Sequence, residues 1–370
     1  MLGDGTVVNR DTSLLDEAYA RLHRTGPEFQ GWLSNHGPMA VEALVRHGHG
    51  PSVHGWLDAY VRRLEDFPRG LRPIRDEDWP EALGDARRIA DWTSYFQYRV
   101  IEAPWRVVLN TWWPRLLPGL TAAATHGVIR VGHAVRSLLT DGDSPARHAE
   151  LAHALAYWAA RWSPVAGLDV ALSGHTLQPP ARSADTPTSV LIHDALAKIP
   201  LLSRRTGGIV ERLDRLGRME AWPSLLVPPA LPATPDAVEG WLAELIDEAV
   251  VRYLQYGQGD EIMLVHSVTA PTAVLRTLPA LHRRLWAPSA RAAWAATAAL
   301  TSIYGTATPA PPEILPHPAT RSAADAFARA VDHGDEHVIK FADAALDSYV
   351  RTGDDQALLA IFRAAELIEN

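Results

Sequence analysis

An all-helical fold is what this sequence predicts: one large array of helices joined by long proline-rich loops. Two observations lead there. Apolar residues recur at helical spacing along nearly the whole chain, and alternating runs of the kind that form half-buried strands are scarce. A third, three proline-rich stretches at 176–190, 222–235 and 305–320, divides the helices into groups. With 370 residues, 47% of them apolar and 13 tryptophans, the chain has enough to bury a sizeable core.

The elements follow in order. Residues 1–12 are polar and without apolar pattern, so they are expected to form a loosely held terminus ahead of a single domain over 13–370. Periodicity predicts helices over 13–24, 38–47 and 51–65, the second opened by Pro38 in its first turn, with Ser34 or Asn35 available as its cap. Further helices are predicted over 84–98, 103–115, 119–139 and 146–160. After the first two proline-rich stretches come 236–256, 260–281 and 288–304, and after the third 320–332, 336–351 and 355–368. No internal repeat of fixed length is evident. A boundary near 176–190 would split the chain in two, but the residues suited to chemistry lie on both sides of it.

Composition excludes several functions. Nucleic-acid binding needs clustered Lys and Arg to neutralise phosphates; here the net charge is −8 and no basic block occurs. Without cysteine there are no disulfides, thiolate metal sites, iron–sulfur clusters or cysteine nucleophile, so any metal must sit on nitrogen and oxygen ligands. No run of eighteen apolar residues and no leader-like start is present, which predicts a cytoplasmic protein without a membrane partner. No GxGxxG follows a strand, so a flavin or NAD(P) motif is absent. Of the 35 basic residues only Lys198 and Lys340 are lysine. Where charge alone is needed this chain uses Arg, and only an amine can deprotonate on burial, which singles out a retained Lys for chemistry; chance survival explains it equally well.

Sixteen histidines must be sorted by context. His23, His47, His49, His54, His148, His282, His317 and His333 stand among Arg, Gly, Pro or acidic neighbours and read as surface. His126 and His133, in THGVIRVGHAV, share a helix face roughly 10 Å apart along the axis. They suit two imidazoles leaning on one ion, although two hydrogen-bonded core histidines are the plainer reading. Arg130 projects from nearly the same stripe. His266 lies in an apolar run followed by Pro271, where a kink would open a pocket, although a satisfied core histidine is the plainer reading. His36 stands at the rigid helix entrance before Gly37 and Pro38. His193 is a weaker candidate in apolar surroundings. In DEHVIKFADAAL, His337 and Lys340 share one face, and Lys340 between Ile339 and Phe341 is either partly buried or reaches past its neighbours to water.

The segments NHGPMAVEAL, WRVVLNTWWPRLLPGL, HGVIRVGHAVRSL, ELAHALAYWAARW, HSVTAPTAVLRTL and DEHVIKFADAAL, in this order, resemble the questin oxidase-like family. That resemblance implies a predominantly helical non-haem iron oxygenase of aromatic polyketide metabolism, acting on an anthraquinone-like substrate with O2 by Baeyer–Villiger-type or dioxygenative ring oxidation. It implies Fe(II) held by His36, His126, His133 and His266 with Lys340 as a carboxylated ligand, and His337 beside Lys340 either as a partner or in place of one of the four. Four imidazoles and one carbamate would leave an octahedral position open. Trp32, Trp112, Trp113 and Tyr157 are candidate walls for a flat ring, or simply core, and Arg130 is placed to orient a phenolate or stabilise developing oxyanion charge, with a structural ion pair as the equal alternative. Two other functions fit the same residues: a zinc-dependent ester or lactone hydrolase, and a non-enzymatic helical protein that binds a hydrophobic ligand.

Overall fold

The computed structural model describes residues 10–173, 187–318 and 322–369. Among them are eighteen α-helices and one two-stranded antiparallel sheet, in which Glu28–Phe29 pairs with Leu33–Ser34. The predicted all-helical class therefore holds. Most predicted helices are found within a few residues of their expected ends. Thr188–Ala197 and Ile209–Gly217 were not anticipated; their apolar faces are short and flanked by polar residues. The 176–190 stretch lies largely outside the described residues, as do residues 1–9 of the expected loose terminus, whereas Arg10 already begins the first helix.

Two predicted helices start later than periodicity suggests, and the difference creates the site. Over 119–139 the helix proper is His126–Thr140, and over 260–281 it is His266–Thr277; each is preceded by a 3-10 turn, Ala122–Thr125 and Met263–Val265. The opening beside His266 thus arises at a helix start rather than at a kink at Pro271. These two helices lie side by side at the centre, so close that a Cβ on Gly132 would stand 2.5 Å from the Ala273 Cβ. Only a glycine permits that approach.

Pro145–Ala160 and Trp286–Tyr304 flank the central pair, and Gly37–Arg46 and Glu336–Thr352 pack against it and against each other. The order of elements from Trp105–Leu116 through Leu117–Gly119, Ala122–Thr125 and His126–Thr140 to Pro145–Ala160 recurs about 140 residues later. It reappears as the end of Pro235–Tyr256, then Gly257–Gly259, Met263–Val265, His266–Thr277 and Trp286–Tyr304. The repeat is not legible in the sequence because few residues are shared between the two copies. Those that are include Gly119 and Gly259, His126 and His266, and Arg136 and Arg276.

Candidate metal centre

Four helices bring their N-terminal ends to one point. His36 is the cap residue of Gly37–Arg46, His126 and His266 are the first residues of their helices, and His337 is the second residue of Glu336–Thr352. One ring nitrogen from each lies within 4.8 Å of the others, and all four side chains are shielded from solvent. Local structure sets each one. Asn35 Oδ1 accepts the Gly37 N–H at 2.9 Å and so takes the capping duty from His36, while Ser34 is engaged by the Tyr157 hydroxyl. Asp335 caps its helix by accepting the backbone N–H of His337 at 2.7 Å. His126 follows three consecutive left-handed residues, Ala123, Ala124 and Thr125, with φ of 47°, 53° and 70°. Such backbone is unfavourable for residues with a Cβ, and strained segments of this kind gather at functional sites.

That strained turn aims the Ala123 carbonyl at His126, whose Nδ1–H donates to it at 2.5 Å. His337 Nδ1–H donates to Asp335 Oδ1 at 3.2 Å. Both bonds select the tautomer that leaves Nε2 as a lone pair turned inward, the arrangement that orients metal-binding imidazoles. His126 Nε2 and His266 Nε2 stand 3.0 Å apart. Two adjacent nitrogen ligands on one ion at about 2.1 Å from it are separated by about that distance. Neither ring nitrogen of His36 has a hydrogen-bond partner despite its burial. Burial, and next the Lys340 charge, hold His36, His126 and His266 well below the usual histidine range, and His337 is lowered for the same reasons. The four rings are accordingly neutral donors, and an orphaned buried imidazole is the polar atom a metal would satisfy. The donor set therefore fits a transition metal preferring imidazole.

Lys340 is fully buried, with Nζ 2.9 Å from His266 Nε2. Desolvation pushes its amine down to about 7, against the opposing pull of Glu336 and Asp335. Near neutrality a large fraction of it is the free amine.

His133 is not among the four. It was expected to share the ion with His126, but a residue two turns into a helix lies about 10 Å deeper than the first, and the group forms at helix ends. His133 Nδ1 instead meets Glu42 at 2.7 Å. His337 stands in its place. Arg130 also departs from the role of orienting a phenolate: its Nε and Nη2 donate to Glu150 at 2.6 and 2.8 Å in a buried two-pronged pair, which His23 joins at 2.8 Å. The ion pair left open as the alternative is what the fold uses.

Other readings change similarly. His23 and His47 are half-buried and bonded to carboxylates, and His333 is buried against the Ile368 carbonyl, so none of the three is plain surface. His193 is exposed beside Glu248. Trp112 and Trp113 are core, the latter donating to Ser289 Oγ, and Tyr157 is held by Ser34 and Glu28.

A cavity of about 420 Å³ opens onto the histidines, lined among others by Phe29, Trp32, Leu33, Ile209, Ile262, Met263 and Glu336, and touched by His36, His126, His266 and His337. Its walls are chiefly apolar, the character of a site for a small organic molecule. Trp32, 72% exposed on the turn of the small hairpin, stands at its rim. Glu336, Ile262 and Met263 are not among the candidates that the sequence marks. The acidic pair beside His337 was the available signal for the first, and nothing in the local pattern marks the other two.

A model of the family described as questin oxidase-like matches residues 57–345, well over half the chain, and the chain belongs to that family. The match takes in His126, His266, His337 and Lys340 and begins after His36. No curated protein matches the chain.

Proposed function

We propose that this member of the questin oxidase-like family is an iron-dependent oxygenase acting on a flat, phenolic polyketide-type ring system, with His36, His126, His266 and His337 as ligands and Lys340 as a fifth donor after carboxylation. The observation that carries the reading is the convergence of four buried, neutral imidazoles, one of them without any hydrogen-bond partner, at the floor of an apolar cavity. When bound, Fe(II) would supply the means of bringing O2 and an electron-rich ring together at one point.

The chain's own residues supply the rest. The Ala123 carbonyl and Asp335 hold two rings in the tautomer that faces inward, so they need no reorientation when the ion enters. The Lys340 amine, lowered to about 7, is available in its neutral form to add to carbon dioxide; forming the N–C bond releases one proton and would leave an anionic carbamate that offsets the charge of the ion. Phe29, Leu33, Ile262 and Met263 exclude water and offer apolar surface to a ring, and Trp32 at the rim can stack on its face. Electrons come from the reduced substrate, in keeping with the absence of a nucleotide-binding glycine motif.

Anaerobic reconstitution with Fe(II), followed by metal analysis and oxygen-electrode assays with polycyclic phenols and hydroquinones, tests the proposal. One iron per chain and substrate-dependent O2 uptake are expected. A protein that retains no stoichiometric transition metal sinks it, and product formed under strict anoxia would redirect it to hydrolysis.

A further inference from the structure

Two turns beyond the histidines the same four helices meet a second time, through charged groups. Gly37–Arg46 supplies Glu42, His126–Thr140 supplies Arg136, His266–Thr277 supplies Arg276, and Glu336–Thr352 supplies Asp343. Arg136 Nε donates to Glu42 Oε1 at 2.8 Å and its Nη2 to Glu42 Oε2; Nη1 and Nη2 donate to Asp343 at 3.0 and 2.9 Å. Arg276 Nη1 reaches Asp343 Oδ2 at 2.8 Å. Glu42, Arg136 and Asp343 are shut off from solvent, and the Arg276 side chain is 8% exposed.

The placement repeats. Glu42 and Asp343 each stand six residues after the histidine of their own helix, and Arg136 and Arg276 each ten residues after theirs. Each helix thus carries one imidazole for the centre and one charged group for this layer at a spacing shared with its counterpart. Arg136 joins both acids, so three helices meet on one guanidinium.

Buried ion pairs are weak sources of stability, because desolvation offsets their attraction; their best-attested use is to fix register. An apolar layer lets helices slide by fractions of a turn at little penalty, whereas a two-pronged guanidinium tolerates almost no slide. A metal centre needs its ligands placed to within about half an ångström.

We infer that Glu42, Arg136, Asp343 and Arg276 form a positioning layer that sets the register of the four ligand-bearing helices, so that the imidazoles converge before any ion arrives. None of the four touches the centre; each acts through the helix it shares with a histidine. The inference uses the ligand assignment proposed above, but its first test does not need a metal.

In the quadruple variant Glu42→Leu, Arg136→Met, Arg276→Met and Asp343→Leu the layer becomes apolar, and the neighbouring Asp347, which loses Arg276 at 2.6 Å, is 26% exposed and so is hydrated rather than left as a buried unpaired charge. Its melting temperature should equal or exceed that of the parent, while its metal-free crystal structure should show the four histidine nitrogens no longer mutually within 4.8 Å. Co(II) titration followed by visible absorption should show affinity reduced at least about tenfold and an altered ligand-field spectrum. A folded variant with unchanged histidine geometry overturns the inference. Failure of the parent to bind Co(II) would count against the metal reading alone, since the crystallographic comparison stands without it. Should the quadruple variant not fold, Arg136→Lys keeps the charge and loses the two-pronged grip. The same displacement of the histidines is expected there, and undisplaced rings would overturn the inference equally.

Discussion

The first turns and the middles of the same four helices are buried alike and chemically opposite. At the first turns stand neutral rings with lone pairs turned inward and, on His36, no hydrogen-bond partner, a Glu336 carboxylate oxygen standing 3.9 Å away. In the middles stand full charges, each matched by a counter-charge at hydrogen-bond distance. Protein interiors leave a polar atom unpaired only rarely, so the unmatched layer is the one suited to a ligand and the matched layer is the one suited to holding shape. Burial alone would not have told them apart. His133, on the same stripe as His126, belongs by its hydrogen bond to the matched layer.

The comparison can be broken most directly at the unmatched layer. His266→Ala removes the ring that contacts both His126 and Lys340, and the reconstituted protein is expected to lose its stoichiometric iron in elemental analysis while keeping its helical circular dichroism. Full iron occupancy in that variant would mean the rings are not ligands. The matched layer should respond in the other currency. Arg136→Met alone strands Glu42 and Asp343 as buried, under-compensated charges, and denaturant unfolding is expected to show a loss of about 3–5 kcal/mol.

Acid sharpens the contrast further. Burial, the largest single influence, would raise the Glu42 carboxyl, but Arg136 and His133 together overcome it and hold the group down to about 2, against an ordinary value of 4.5. A carboxyl lowered by folding contributes stability that is fully present above its unfolded value and is lost as pH falls toward the folded one. Metal-free protein should therefore lose stability from about pH 4.5 down to about pH 2, and Glu42→Gln should shrink that loss in a pH series of thermal melts.

Between the layers in effect lies Asp335→Ala. It removes a helix cap, for about 1 kcal/mol, and the hydrogen bond that orients His337, for about 10–100-fold in metal affinity by competition titration. The smallest stability change is expected for Trp32→Ala, within about 0.5 kcal/mol because the side chain is already in solvent. Its effect should fall on KM for an aromatic substrate instead, and an unchanged KM would remove Trp32 from the pocket's function.

Much of the molecule was legible because helices are written locally. The apolar stripe of 236–256, the cap and proline before residue 39, and the acidic start of DEHVIK each specify a helix from a few neighbouring residues. His36, His126 and His266 were legible as candidates by similar means, since each interrupts an apolar or capped pattern that has no local use for an imidazole. Lys340 stood out because the chain otherwise prefers Arg.

What the sequence alone determined is a set of helices, their buried faces and a short list of polar residues that those faces would have to shelter. Which of them meet is settled by packing: His337 and not His133 completes the group, Arg130 turns to Glu150, and Arg136 gathers two acids from distant segments. The reason is geometric. Periodicity fixes direction around a helix axis but neither where along it the helix begins nor what lies opposite. Here the start of one central helix was moved by three left-handed residues in an unremarkable Ala-Ala-Thr run, and the crossing of the central pair by a single Gly132 against Ala273.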